Sequence, residues 1–188
     1  MSDFQNEKAV VRAYQAAVDL ADPNAAASAI AAHVSDDYLW RGMHPFDIRR
    51  GAAEVAEVFW SPLKTALTSL TRREDIFMAG RNQMDDFQSI WVVSMGHLVG
   101  LHDAPWLGIP PTRKMAFLRF AEFSKVENGK ITETALFCDI PHLMVQAGVN
   151  PFPPQTAAHL VQPGPETHTG RMDAAQDPAE GEKTLAVI

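Results

Sequence analysis

Cysteine is almost missing from this chain: Cys138 is the one cysteine among 188 residues. No disulfide can close within the chain, and a cysteine-based metal site is excluded. Long apolar runs are missing too. None reaches the roughly 18 residues that a membrane span needs, and Met1 to Lys8 shows no basic stretch leading into an apolar core, so neither a membrane partner nor a secretory leader is expected. There is no long run of like charges to act as an interaction tail. No glycine-rich phosphate loop is present, and the seven histidines, at 33, 44, 97, 102, 142, 159 and 168, are scattered rather than spaced as ligands. The expectation is a protein with no metal, no cofactor and no nucleotide. Basic residues number 16 against 23 acidic ones, a net charge of −7, which argues against nucleic acid because phosphate binding needs a basic face. Cytoplasm is the expected compartment.

What is present is enough apolar material, 46% of residues, for one real core. The first half has a helical period: Asp3 to Leu20 carries Val10, Val11, Tyr14 and Val18 near one stripe, Asp22-Pro23-Asn24 breaks it, and helices are expected again over Ala25 to His33 and Ala52 to Leu67. Val34 to Trp40 reads as a short extended piece, and Gly42 to Arg50 as a loop. From Thr71 the period becomes two. Strands are expected over Glu74 to Gly80, Phe87 to Leu101, Met115 to Val126 and Ile131 to Asp139, with a turn at Asn128-Gly129, the strongest short hairpin signal in the chain. Pro141 to Gly148 could form a last short helix. Helices followed by long antiparallel strands indicate an α+β fold. Residues 1–150 form the expected domain, and 151–188, opening with Pro151, Pro153 and Pro154, an extension ending in a flexible tail.

Four local motifs, in order, resemble the SnoaL-like polyketide cyclases of the NTF2-like superfamily. They are Asp37-Tyr38-Leu39-Trp40 through Gly51 to Phe59; Gly100-Leu101-His102 with Leu107-Gly108-Ile109-Pro110-Pro111-Thr112; Asn128-Gly129-Lys130-Ile131-Thr132-Glu133; and Asp139 followed by Gln146-Ala147-Gly148. The resemblance spans roughly residues 5 to 150. It implies a cone in which a curved antiparallel sheet packs against three or four helices around a pocket for a small organic molecule. It also implies a homodimer and cofactor-free ring closure through an enolate. Such chemistry needs a base beside the carbonyl and a hydrogen-bond donor for the enolate oxygen. The family's cavity histidine falls on Glu122, and its acid/base aspartate on Leu136, which cannot transfer a proton. Arg113 stands where the family has glycine.

The resulting candidates are Glu122, Asp139 and His97 for catalysis. Trp40, His44, Trp60, Trp91, His102, Leu118, Phe120 and Leu136 are candidates for binding. Glu122 lies in an apolar strand, where desolvation raises a carboxyl group's pKa toward neutrality, and alternation puts it on the side of Leu118 and Phe120. Asp139 can serve as a helix cap as readily as a catalyst. His97 alternates with Trp91, Val93, Met95 and Val99, and the tryptophans fit a core or a dimer interface as well as a pocket wall. Two functions stay open: a cofactor-independent enzyme acting on a carbonyl compound, and a non-catalytic binding or dimerisation module. A third possibility is that the chain is one half of a longer, tandem architecture, with the extension as a linker toward a second domain.

Overall fold

The computed structural model describes residues 4–153, 161 and 163–187. Helix α1 (Gln5–Leu20) stops before Pro23 and buries Val11, Tyr14 and Val18. A short helix α2 (Ala26–Ala31) follows. The third expected helix is one continuous run of three pieces, α3 (Gly51–Val55), a π-helical turn (Ala56–Trp60) and α4 (Ser61–Ala66). The π turn takes one extra residue into the helical turn, a feature that often marks functional sites, and here it carries the buried Phe59 and Trp60.

Six strands build one sheet in the order β2-β1-β6-β5-β4-β3. They are β1 (Val34–Gly42), β2 (Ile48–Arg50), β3 (Leu67–Arg81), β4 (Ile90–His102), β5 (Met115–Glu127) and β6 (Lys130–Cys138). Three features differ from the expectation. β1 runs parallel to β6, so the sheet is mixed rather than wholly antiparallel. β3 begins at Leu67, seven residues before the expected start at Glu74, and the expected loop over 42–50 contains β2. Register shifts in β1 and β3 mark bulges, which bend a strand and increase its twist. The β5–β6 hairpin turns at Asn128 and Gly129, both with positive φ (51° and 74°), as a two-residue turn of the favoured hand requires.

The even-numbered positions of β5, from Ala116 through Leu118, Phe120, Glu122 and Ser124 to Val126, are buried beneath the helices. Alternation therefore puts the odd-numbered positions of β4 on the opposite, outer face. Asp139 caps α5 (Ile140–Gln146) by accepting a 2.9 Å hydrogen bond from the His142 amide. Of the extension, 154–160 lie outside the described residues. Gly170 to Met172 pairs with the free edge of β3 at Phe77, with hydrogen bonds of 2.8 and 2.7 Å. The tail expected to lack regular structure contains helix α6 (Pro178–Leu185), capped by Asp177.

Candidate active site

The inner face of the sheet is apolar except for a band across its middle. In one row Ser94, Glu122 and Leu136 are cross-strand neighbours; in the next, Val92, Ser124, Thr134 and Trp40. Tyr14 on α1 and Tyr38 on β1 close over this band, both fully buried. Glu122 is 1% exposed. Its Oε2 accepts a 3.1 Å hydrogen bond from Arg72, whose guanidinium also reaches both Asp19 oxygens at 3.2 and 3.4 Å. The rings of Phe120 and Trp60 stand 5.0 and 5.7 Å from that guanidinium.

Burial pushes the Glu122 carboxyl above the ordinary glutamate range. The Arg72 charge pulls the other way, and Asp19 and Glu74 reinforce burial. For Arg72, burial alone would loosen the proton, but Glu122 and Asp19 outweigh it and the net shift is upward. Burial also raises both phenols, with the Glu122 charge adding to it, so Tyr14 and Tyr38 keep their protons and remain donors.

Glu122 Oε1 and Ser124 Oγ have no hydrogen-bond partner among the described residues. Tyr14 lies close to Tyr38 and Trp60, and Tyr38 close to Thr134, near enough to influence proton affinity, yet none of these contacts has the length and angle of a hydrogen bond. A buried polar atom left unpaired costs about 1–3 kcal/mol. A cluster of them is therefore a place where a bound molecule's oxygens gain unusually much.

The other sequence candidates divide between this interior and elsewhere. Trp40, Trp60, Leu118, Phe120 and Leu136 join Glu122 as buried walls. His102 is also inside, at the end of β4, with neither ring nitrogen in a well-formed hydrogen bond and its imidazole pushed to lower pKa by burial. His44 is exposed on the β1–β2 connection. His97, Trp91 and Asp139 do not join Glu122: His97 and Trp91 each stand three residues from the inward-facing Ser94, and Asp139 three from the inward-facing Leu136, so an odd step puts all three on the outer side. There Asp75 lies 3.5 Å from His97, and Asp139 lies 3.2 Å from Arg119. The expected grouping of Glu122 with His97 and Asp139 is thus split by the sheet itself.

His97 and Asp139 instead line an outer cavity of about 390 Å³, walled by Met43, Met95, Phe137 and Pro163. A second one, of about 490 Å³, lies on the far side of Phe137, against Met78, Trp91 and Phe123. Neither these nor two further cavities, one among the helices and one between the end of α1 and the start of β3, are lined by Glu122. Tyr14, Tyr38, Trp40, Phe59 and Trp60, all fully buried, lie between the helices and this face of the sheet. Phe46 and Trp106 stack at 6.0 Å and pack on Phe59 at 5.1 and 6.1 Å, extending that aromatic cluster.

A family profile, the SnoaL-like polyketide cyclase, matches residues 8–147. The chain belongs to that family. Solved structures agree on the fold. AclR from Streptomyces galilaeus, provisionally assigned as a hydroxylase, superposes with a TM-score of 0.61 at 18% identity over 82% of this chain and 91% of its own. IdmH from Streptomyces antibioticus, provisionally a polyketide cyclase, gives 0.59 at 15% over 74% and 96%. A provisional SnoaL-like polyketide cyclase from Jannaschia sp. CCS1 gives 0.58 at 18% over 80% and 95%. No curated protein matches. Glu122 and Leu136 are direct cross-strand partners on the inner face.

Sequence reasoning missed Arg72, Asp19 and the two tyrosines as site residues. Arg72 fell outside because β3 was expected to begin at Glu74, and Asp19 looked like an ordinary helix end. Tyr14 stood in an apolar helical stripe, and that stripe could have flagged it, since a buried phenol needs a partner for its hydroxyl. Among the described residues there is no cluster that could hold a metal ion, and no helix is long and apolar enough to cross a membrane.

Proposed function

We propose that this protein is a cofactor-independent acid/base catalyst that binds a small carbonyl compound in its interior, with Glu122 as the base and Tyr14 and Tyr38 as the donors. The observation that carries the reading is the unbonded Glu122 Oε1, buried beside two protonated phenols. A carboxyl group held above its ordinary pKa is matched to proton transfer near neutral pH. Glu122 takes a proton from the carbon next to the carbonyl. The electron pair moves into the new C=C bond, and the oxygen becomes an enolate that two phenolic O–H groups stabilise. Returning the proton to another carbon isomerises the compound; attack of the enolate carbon on a second carbonyl closes a ring, and the alkoxide formed there takes the proton that Glu122 holds, giving a hydroxyl and restoring the carboxylate. With Leu136 across from it, Glu122 handles the proton alone. Cytoplasm is the compartment that goes with this reading.

The test is solvent-deuterium exchange into β-keto esters and hydroxy-ketones, followed by proton NMR. The native protein accelerates loss of the α-proton signal. Glu122→Gln lowers that rate at least about 100-fold, with an unchanged circular dichroism spectrum. Exchange by the variant at the native rate would remove Glu122 from the chemistry.

A second reading, a non-catalytic binding or dimerisation module, draws on the Arg72 contact that occupies Glu122 and on the cavities that Glu122 does not line. It expects ligand binding with no exchange in either protein. For dimerisation, the outer face offers what a two-fold contact needs: a protruding Phe137, 54% exposed, between two cavities, so one patch carries both knob and socket. We place the partner copy there. Light scattering on the eluting protein reports twice the chain mass for the native form and a shift toward monomer for Phe137→Glu; a native monomer would contradict this.

A further inference from the structure

The C-terminal strap, residues 163–173, does more than cover an edge. Its backbone extends the sheet beside Phe77, and its charges converge on the far end of the polar band. Lys8 donates a 2.6 Å hydrogen bond to the Met172 carbonyl. Asp173 holds Arg12 at 2.6 Å, and the Arg12 guanidinium carbon stands over the Phe77 ring, 3.5 Å from its centre. The same Arg12 nitrogen is 2.6 Å from Glu74, and Arg171 is 3.6 Å from that Glu74 oxygen and 2.9 Å from Asp173. The other Glu74 oxygen accepts a 2.6 Å hydrogen bond from Ser94, the cross-strand neighbour of Glu122. A line of ion pairs and hydrogen bonds thus runs from half-exposed strap side chains to Ser94, which stands directly across the strand from the buried base.

We propose that Arg171 and Asp173 are positioning residues for Glu122, acting through Arg12, Glu74 and Ser94, so that the strap is a working part of the active site. This rests on the reading of Glu122 as the base. The groups facing Glu122 are Tyr14 and Asp19 from α1, Tyr38 from β1, Arg72 and Glu74 from β3, and Cys138 from β6. Lys64 on α4 acts on Arg72 and Asp19. Of these, Glu74 is the one whose compensation comes from the strap. Its charge disfavours ionised Glu122, and Arg12 and Arg171 offset it. Because Glu74 is only 6% exposed, water screens that coupling weakly compared with a surface pair.

The experiment is a pH titration of the Glu122 side-chain carboxyl by carbon NMR on full-length protein labelled in glutamate, with Glu122→Gln assigning the resonance. Arg171→Gln leaves Glu74 less compensated, so Glu122 titrates at higher pH than in the native protein. Asp173→Asn frees Arg12 to serve Glu74 alone, so Glu122 titrates at lower pH. Arg171→Lys restores the charge and the native titration. Opposite displacements are expected because the two variants remove opposite charges, whereas loss of strap structure would move both the same way. Displacements of one sign, or none, overturn the proposal. The outcomes separate cleanly: opposite displacements together with a fully active Glu122→Gln would sink the base assignment and leave the coupling standing.

Discussion

Arg72→Ala is expected to destabilise the protein by about 3–5 kcal/mol, because it leaves the Glu122 carboxylate buried with no opposing charge. That is a large share of the roughly 5–15 kcal/mol of a typical domain. Asp19, 28% exposed at its side chain, can turn to water; Glu122, 1% exposed, cannot. The loss should depend on pH, with a definite sign. Glu122 has a folded pKa above its unfolded value, so its contribution is fully present below the ordinary glutamate pKa and is lost as pH rises through the folded one. Removing Arg72 raises the folded value further and extends that decline to higher pH. Urea denaturation at several pH values should therefore show the variant closest to native at acid pH and furthest from it above neutrality. Adding Glu122→Gln to Arg72→Ala should abolish the pH-dependent part, the signature of direct coupling between the two. A penalty that is flat with pH, or unchanged in the double variant, would contradict this account.

Gly96→Ala should be nearly as damaging for a purely steric reason. A Cβ at this position would lie 2.1 Å from the Arg73 carbonyl oxygen and 3.0 Å from Glu74 Cα, both backbone atoms of β3 next to its second bulge. Neither can rotate away. β3 must move off β4 at the point where Glu74 meets Ser94, so the polar band loses its geometry as well. Overpacking in a core costs typically 1–3 kcal/mol, and a rigid backbone obstacle places this variant at the upper end, about 3 kcal/mol or beyond. Gly80→Ala is the control. It sits on the same pair of strands with nothing within 4 Å of the added carbon, and should change stability by no more than about 0.5 kcal/mol. Equal thermal shifts for the two variants would show that the close approach is not what glycine serves at position 96.

Much of the fold was readable because its signals are local. The helical stripe of α1, the period-two run through β4 and β5 and the Asn128-Gly129 turn each arise within a few residues, from the directions in which consecutive side chains must point. Alternation alone placed Glu122 with Leu118 and Phe120, and the structure puts those three on one buried face. The motifs pointed to the SnoaL-like family, and the profile match bears that out.

What the chain could not disclose by itself depends on which strand lies beside which. Alternation says that His97 and Glu122 each belong to a face, but it cannot say whether the two faces are the same one. That is fixed by the pairing of His97 with Arg119 and Ser94 with Glu122. The parallel contact of β1 with β6, the delivery of Arg72 to Glu122 from 50 residues away, and the reach of the strap back to α1 are all long-range closures. Their cost in chain entropy and their gain in buried area are settled only when the whole sheet forms. Sequence determined the kinds of element and the family; tertiary packing decided which charges meet in the dark.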